Sequence, residues 1–229
     1  MKYFLCLLLS AFAAVSSAAD SPIQLLKDQA PELYKLYQRN VAYQSAFTKY
    51  AQRQGFRGPV EQLATVVHEL IHIESAVHAG FFIGGTYYEP YLRADAWPAL
   101  SNSQVAGEMQ PQEKGNIYQF YVSNSPKNTI ANVLDELNAY SQVATFICKN
   151  EPTSGEKQIR NMIGHLNLLE AYLRTLRSKI PDGYRELARN RESRGALATI
   201  VSNTRVALGN CGVEIRQIPR QEADFFLNI

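Results

Sequence analysis

The stretch TVVHELIHIESAVHAG, residues 65–80, sets His68, Glu69 and His72 inside an otherwise apolar run. Gly58 and Pro59 open a helix ahead of it, with Pro59 in the first turn, and Gly80 supplies a stop. Round that helix Leu63, Val66, Val67, Leu70, Ile71, Ile73 and Val77 cover the side away from the histidines, while Ala64, Thr65, Ser75, Ala76 and Ala79 flank them. The apolar back has to lie on a core. The small flanking residues leave room for a substrate or a second helix to come close to the histidines. Imidazole and carboxylate groups taken out of water need partners, so this helix constrains whatever packs on it.

His68 and His72 stand one turn apart on one face, a spacing at which two ring nitrogens can hold one metal ion. Glu69 is turned about 100° from His68, which can put its carboxylate beside a water in the open position of the ion rather than on the ion itself. A catalytic ion of this kind takes a third protein ligand. One route is His78, but with no helix breaker in residues 75–79 it lies about 15 Å along the axis from His68, too far for one ion. The other is the later helix TIANVLDELNAYSQVATFIC, residues 129–148. Its apolar arc holds Ile130, Val133, Leu134, Leu137, Tyr140, Val143, Ala144, Ile147 and Cys148, and Glu136 falls inside that arc. An acid there asks for a cation or an ion-pair partner, as the histidines ask for a partner of their own. Asp135 projects with Asn138, Ala139 and Gln142 on the polar side.

The five residues His68-Glu69-Leu70-Ile71-His72 match H-E-x-x-H, the signature of zinc-dependent peptidases, and the apolar frame at 66, 67, 70, 71 and 73 suits it. With a downstream helical glutamate the chain resembles the gluzincin branch of these zincins. Glu74 departs from the pattern, which usually has an apolar residue there, and Ser75 stands where the metzincin branch has glycine. The resemblance implies one catalytic Zn2+ held by His68, His72 and Glu136, with Glu69 as general base on a peptide or protein substrate. It also implies a His or Tyr that steadies the transition state, for which His165, Tyr87, Tyr88 and Tyr91 are the candidates.

The rest of the sequence sets the frame. Residues 1–19 read as a signal peptide, with a lysine, a short apolar run and small residues before the cleavage point. The mature chain, 20–229, is then a single exported domain, periplasmic or secreted, with no transmembrane segment. Its remaining cysteines, Cys148 and Cys211, suit one disulfide in an oxidising compartment. A formal net charge of +2 gives no basic surface for nucleic acid.

The predicted fold class is mainly α (α+β), zincin-like, with a small irregular β/loop segment around residues 81–122. Helical periodicity covers 31–55, 128–148, 156–180 and 192–208, and GVEIRQI at 212–218 suits a short strand. A second reading, from a different class, is a catalytically inactive exported helical binding protein that uses the aromatic segment 81–98 as its interface.

Overall fold

The computed structural model describes residues 21–214 and 222–227. Its helices in chain order are α1 (Pro22–Gln29), α2 (Pro31–Arg39), α3 (Val41–Arg53), α4 (Pro59–Val77), α5 (Asn102–Ala106), α6 (Pro111–Ile117), α7 (Ile130–Asn150), α8 (Pro152–Lys179), α9 (Pro181–Arg189), α10 (Arg191–Asn210) and α11 (Ala223–Leu227). One antiparallel hairpin, β1 (Phe81–Ile83) with β2 (Thr86–Tyr88), follows α4. The fold is therefore mainly α. The expected leader lies outside the described residues, as do residues 215–218 of the expected tail strand. No helix among the described residues is long and apolar enough to cross a membrane.

Helix α7 is the shared wall of two cores. Leu134 and Leu137 join the larger one with α8, α10, Phe81, Tyr91 and Trp97. Val143, Phe146 and Ile147 join a second with α1, α2, the apolar back of α4 and Phe82. Because α4, α8, α10 and β1 all pack on α7, most residues of its middle turns are buried, polar ones included. This corrects the helical projection: Asp135, Asn138 and Ala139, assigned to a polar side, are buried. The polar groups face hairpin and helix instead, with Asn138 and Gln142 both donating to the Phe82 carbonyl.

The end of α4 differs from the expected stop at Gly80. The helix closes at Val77, Ala79 takes a left-handed φ of 52°, and Gly80 N donates back to Ser75 O. Gly80 serves a different purpose: a Cβ there would lie 3.2 Å from the Tyr87 Cβ, so the glycine lets β2 cross the helix end closely. Gly84 and Gly85, at φ 55° and 89°, form the tight turn of the hairpin.

The outer edge of β1 is closed by side chains. Ser75 Oγ accepts from Phe82 N, Gln142 Oε1 accepts from Gly84 N, and the Phe82 carbonyl is taken by Asn138 and Gln142. No third strand can pair there. Residues 111–122, expected as strand or loop, accordingly form α6 and a wide π turn, Tyr118–Val122, laid on α8 and α5.

The helical run 31–55 is interrupted at Asn40, which divides α2 from α3. Asn40 turns its amide to Glu74 Oε1 at 2.6 Å, where Arg39 Nε also donates at 2.7 Å, and the Tyr87 hydroxyl donates to Oε2 at 2.6 Å. Glu74, the departure from the apolar consensus, thus ties α2, α3 and β2 to α4. Burial alone would raise its pKa, but these donors outweigh it and hold the carboxyl at about 2. The stabilisation is complete above its ordinary value of 4.5 and is lost as pH falls towards 2. Glu74→Gln is expected to destabilise the protein at pH 6, with the gap to the parent protein narrowing below pH 4.5; acid-dependent unfolding curves of the two proteins measure this.

Cys148 at the end of α7 and Cys211 at the end of α10 form a disulfide across a sequence separation of 63. The turn into α8 is close here, since a Cβ on Gly155 would lie 2.9 Å from the Cys148 Cα. A cross-link closing a loop of this length is worth about 4 kcal/mol in the chain-entropy account. Cys211→Ser is expected to lose stability of that order in equilibrium denaturant unfolding.

Candidate metal centre

Helix α4 lays its apolar back on the second core and turns His68 and His72 towards α7. The two Nε2 atoms face each other at 3.1 Å. Glu136, reaching in from α7, places Oε2 at 3.5 Å from the His68 Nε2 and 3.9 Å from that of His72. These three ligand atoms lie within 4.8 Å of one another and could hold a metal ion. Ligands at about 2.0–2.1 Å from a tetrahedral ion stand about 3.3–3.4 Å apart, so the observed separations bracket what such an ion requires. Two imidazoles and one carboxylate also form a zinc-type donor set that leaves a fourth position open.

The orientation of His72 is fixed from behind. Its Nδ1 lies 2.7 Å from Asp135 Oδ2, and a carboxylate can only accept, so Nδ1 carries a hydrogen and Nε2 is the nitrogen left facing the centre, a ligand atom once its own proton gives way to an ion. Buried Tyr91 donates its hydroxyl to the same oxygen at 2.9 Å. The result is a chain running Tyr91, Asp135, His72 and then the centre, an arrangement that holds metal-binding histidines in register. Asp135 Oδ1 is buried and has no hydrogen-bond partner among the described residues.

The charges converge on the same spot. Burial by itself would lower the pKa of His72, but the Asp135 carboxylate, by charge and hydrogen bond, and Glu136 and Glu69 behind it raise it to about 9. Burial would likewise raise Glu136, yet His68 and His72 hold it at about 2. The polypeptide by itself recruits protons to this cluster, so positive charge is favoured where the three ligand atoms meet.

Glu69 is half-buried beside His68, makes no hydrogen bond among the described residues, and acts electrostatically on His72, Tyr50 and Tyr140. It stands next to the centre without being one of the three converging ligands.

The other residues singled out by sequence fall in several places. His78 caps the end of α4, exposed, with Nε2 3.5 Å from Glu74 and its ring on Tyr87, away from the cluster. Tyr87 and Tyr91 give their hydroxyls to Glu74 and Asp135. Tyr88 ends β2 half-buried against the larger core. His165 on α8 is buried, its Nδ1 bonded to the Asn161 carbonyl at 2.9 Å and its ring packed on Tyr121 and Tyr140. Burial lowers its pKa, more than the Glu136 charge restores it.

Sequence reasoning missed Asp135, because its burial depends on the elements that pack round α7. The only available signal was its place next to Glu136. It also read Tyr140 as a core residue, although that side chain packs on His68.

Comparisons with protein-family models, curated proteins and solved structures found no match to this chain. The chemistry of the centre is therefore read from its own geometry.

If Asp135 orients His72 for an ion, Asp135→Asn is expected to weaken zinc binding by about 10- to 100-fold with the helical content kept. Competition with a chromophoric chelator, beside circular dichroism, measures both.

Proposed function

We propose that the chain is an exported zinc-dependent metallopeptidase that hydrolyses peptide bonds. The observation that carries this reading is the convergence of the His68 and His72 Nε2 atoms with the Glu136 carboxylate, with Glu69 alongside making no hydrogen bond among the described residues. The side chains of His72 and Glu136 are 20% and 26% exposed, so the centre reaches solvent.

His68, His72 and Glu136 would hold the ion, and Asp135 would keep His72 in the tautomer that binds it. A bound zinc ion supplies Lewis acidity towards the carbonyl and lowers the pKa of water to about 7. Glu69 accepts a proton as the oxygen of water adds to the carbonyl carbon. It then delivers that proton to the departing amine nitrogen as the C–N bond breaks, and the second hydrogen of the water follows to leave a carboxylate and an ammonium group. The Cys148–Cys211 disulfide suits an oxidising compartment, in keeping with export by a leader. Most of the large aromatic residues of 81–98 are spent inside the fold: Phe81, Phe82, Tyr91 and Trp97 are buried. That favours catalysis at the centre over a binding surface built from this segment.

Metal analysis of the mature protein, purified without chelator, tests the reading. About one zinc per chain is expected, lost in His72→Ala and in Glu136→Ala. Glu69→Gln is expected to keep the zinc and to cut hydrolysis of unfolded casein by at least about 10²- to 10⁴-fold. Activity that survives Glu69→Gln, or a protein that takes up no zinc when supplied with it, would overturn the proposal.

A further inference from the structure

When water adds to a peptide carbonyl, negative charge gathers on the carbonyl oxygen, and a donor already aimed at that atom lowers the barrier. The side chains that sequence offered for this task are engaged elsewhere. Tyr87 and Tyr91 donate to Glu74 and Asp135. His165 can meet the Asn161 carbonyl only by donating Nδ1–H, which leaves the neutral ring no hydrogen on Nε2, a buried atom with no partner among the described residues. Tyr88 is packed against the larger core at the end of the hairpin.

Tyr140 is placed differently. It follows Glu136 by one helical turn on the same face of α7, so both side chains project towards α4. Its ring is wedged between two imidazoles, with centroids 4.5 Å from His68 and 5.3 Å from His165. Its hydroxyl makes no hydrogen bond among the described residues. A phenol hydroxyl carries one hydrogen at neutral pH and can donate it.

A neighbour on α3, Tyr50, also feels Glu69 and Glu136, but it is 36% exposed and has no flanking rings among the described residues like those that fix Tyr140. Tyr121 also packs on His165, but its oxygen is held by Asn128 Nδ2 and its ring has no contact with His68 among the described residues.

We propose that Tyr140 is a catalytic residue of this centre, its hydroxyl donating to the carbonyl oxygen of the bound peptide as charge develops there. The assignment rests on the metallopeptidase reading. No covalent change occurs at the phenol, and its proton stays on the oxygen throughout. The donor is held by the metal-ligand helix itself, and its ring packs on His68, so the two move as one unit.

The test uses the full mature chain loaded with zinc, as the parent protein, Tyr140→Phe and Tyr50→Phe. Zinc content, melting temperature, kcat and KM on unfolded casein, and the Kd of a phosphinic tripeptide, whose charged P–O group mimics the developing oxyanion, are measured for each. Tyr140→Phe is expected to keep about one zinc per chain and its melting temperature. Its kcat should fall about 10²- to 10³-fold at little-changed KM, with phosphinic peptide binding weakened at least tenfold. Tyr50→Phe is expected to leave kcat within a few-fold. An unchanged kcat in Tyr140→Phe, or the large loss in Tyr50→Phe instead, overturns the assignment. Loss of zinc from Tyr140→Phe also overturns it, by making the residue a support for His68. A zinc-loaded parent protein that neither cleaves casein nor binds the phosphinic peptide overturns the metallopeptidase reading itself, and the donor role with it.

Discussion

The structure turns on the meeting of two imidazoles from α4 with two adjacent carboxylates from α7. None of these groups is tolerated alone out of water, and together they satisfy one another. Asp135 takes the outer nitrogen of His72, while Glu136 faces the inner nitrogens of both histidines. A carboxylate pair at consecutive positions on one helix points in directions about 100° apart. One acid therefore braces His72 and the other completes a group that could hold a metal ion. This division works only if α7 is enclosed, and the two cores that share it provide the enclosure.

Much of this was legible from the residues, for identifiable reasons. A motif of fixed spacing on one helix carries its geometry with it, so His68, Glu69 and His72 could be placed without knowing the fold. Glu136 was legible because an acid in an apolar arc needs an explanation, and the disulfide because two cysteines remained. Asp135 was not, since a helical projection assigns a solvent side by composition and cannot know that β1, α4, α8 and α10 pack round most of the helix. Tyr140 was hidden by the same logic, because a tyrosine among leucines and valines reads as packing. Residues 111–122 misled in another way. Their aromatic and β-branched content suits strands, but a strand needs an open edge, and the only candidate edge on β1 was already taken by side chains.

Glu74 shows how a departure from a family pattern can be informative. An apolar residue there would only fill space. The carboxylate instead gathers donors from Arg39, Asn40 and Tyr87, which fixes where α2 gives way to α3 and how the hairpin leans on the motif helix. The break in the first long helical run is thus set by a residue more than thirty positions away, a non-local cause that periodicity within the run cannot report.

The sealed edge of β1 also bears on how other chains can approach. An exposed strand edge is a template on which an extended peptide can lie down, and equally one on which copies of a protein can aggregate. Here the backbone groups that would receive such a guest are already held by Ser75, Asn138 and Gln142. A chain arriving at this molecule cannot be captured by main-chain recognition along β1. On this side of the hairpin any guest would have to be held through its side chains, so what it carries would matter more there than its ability to extend.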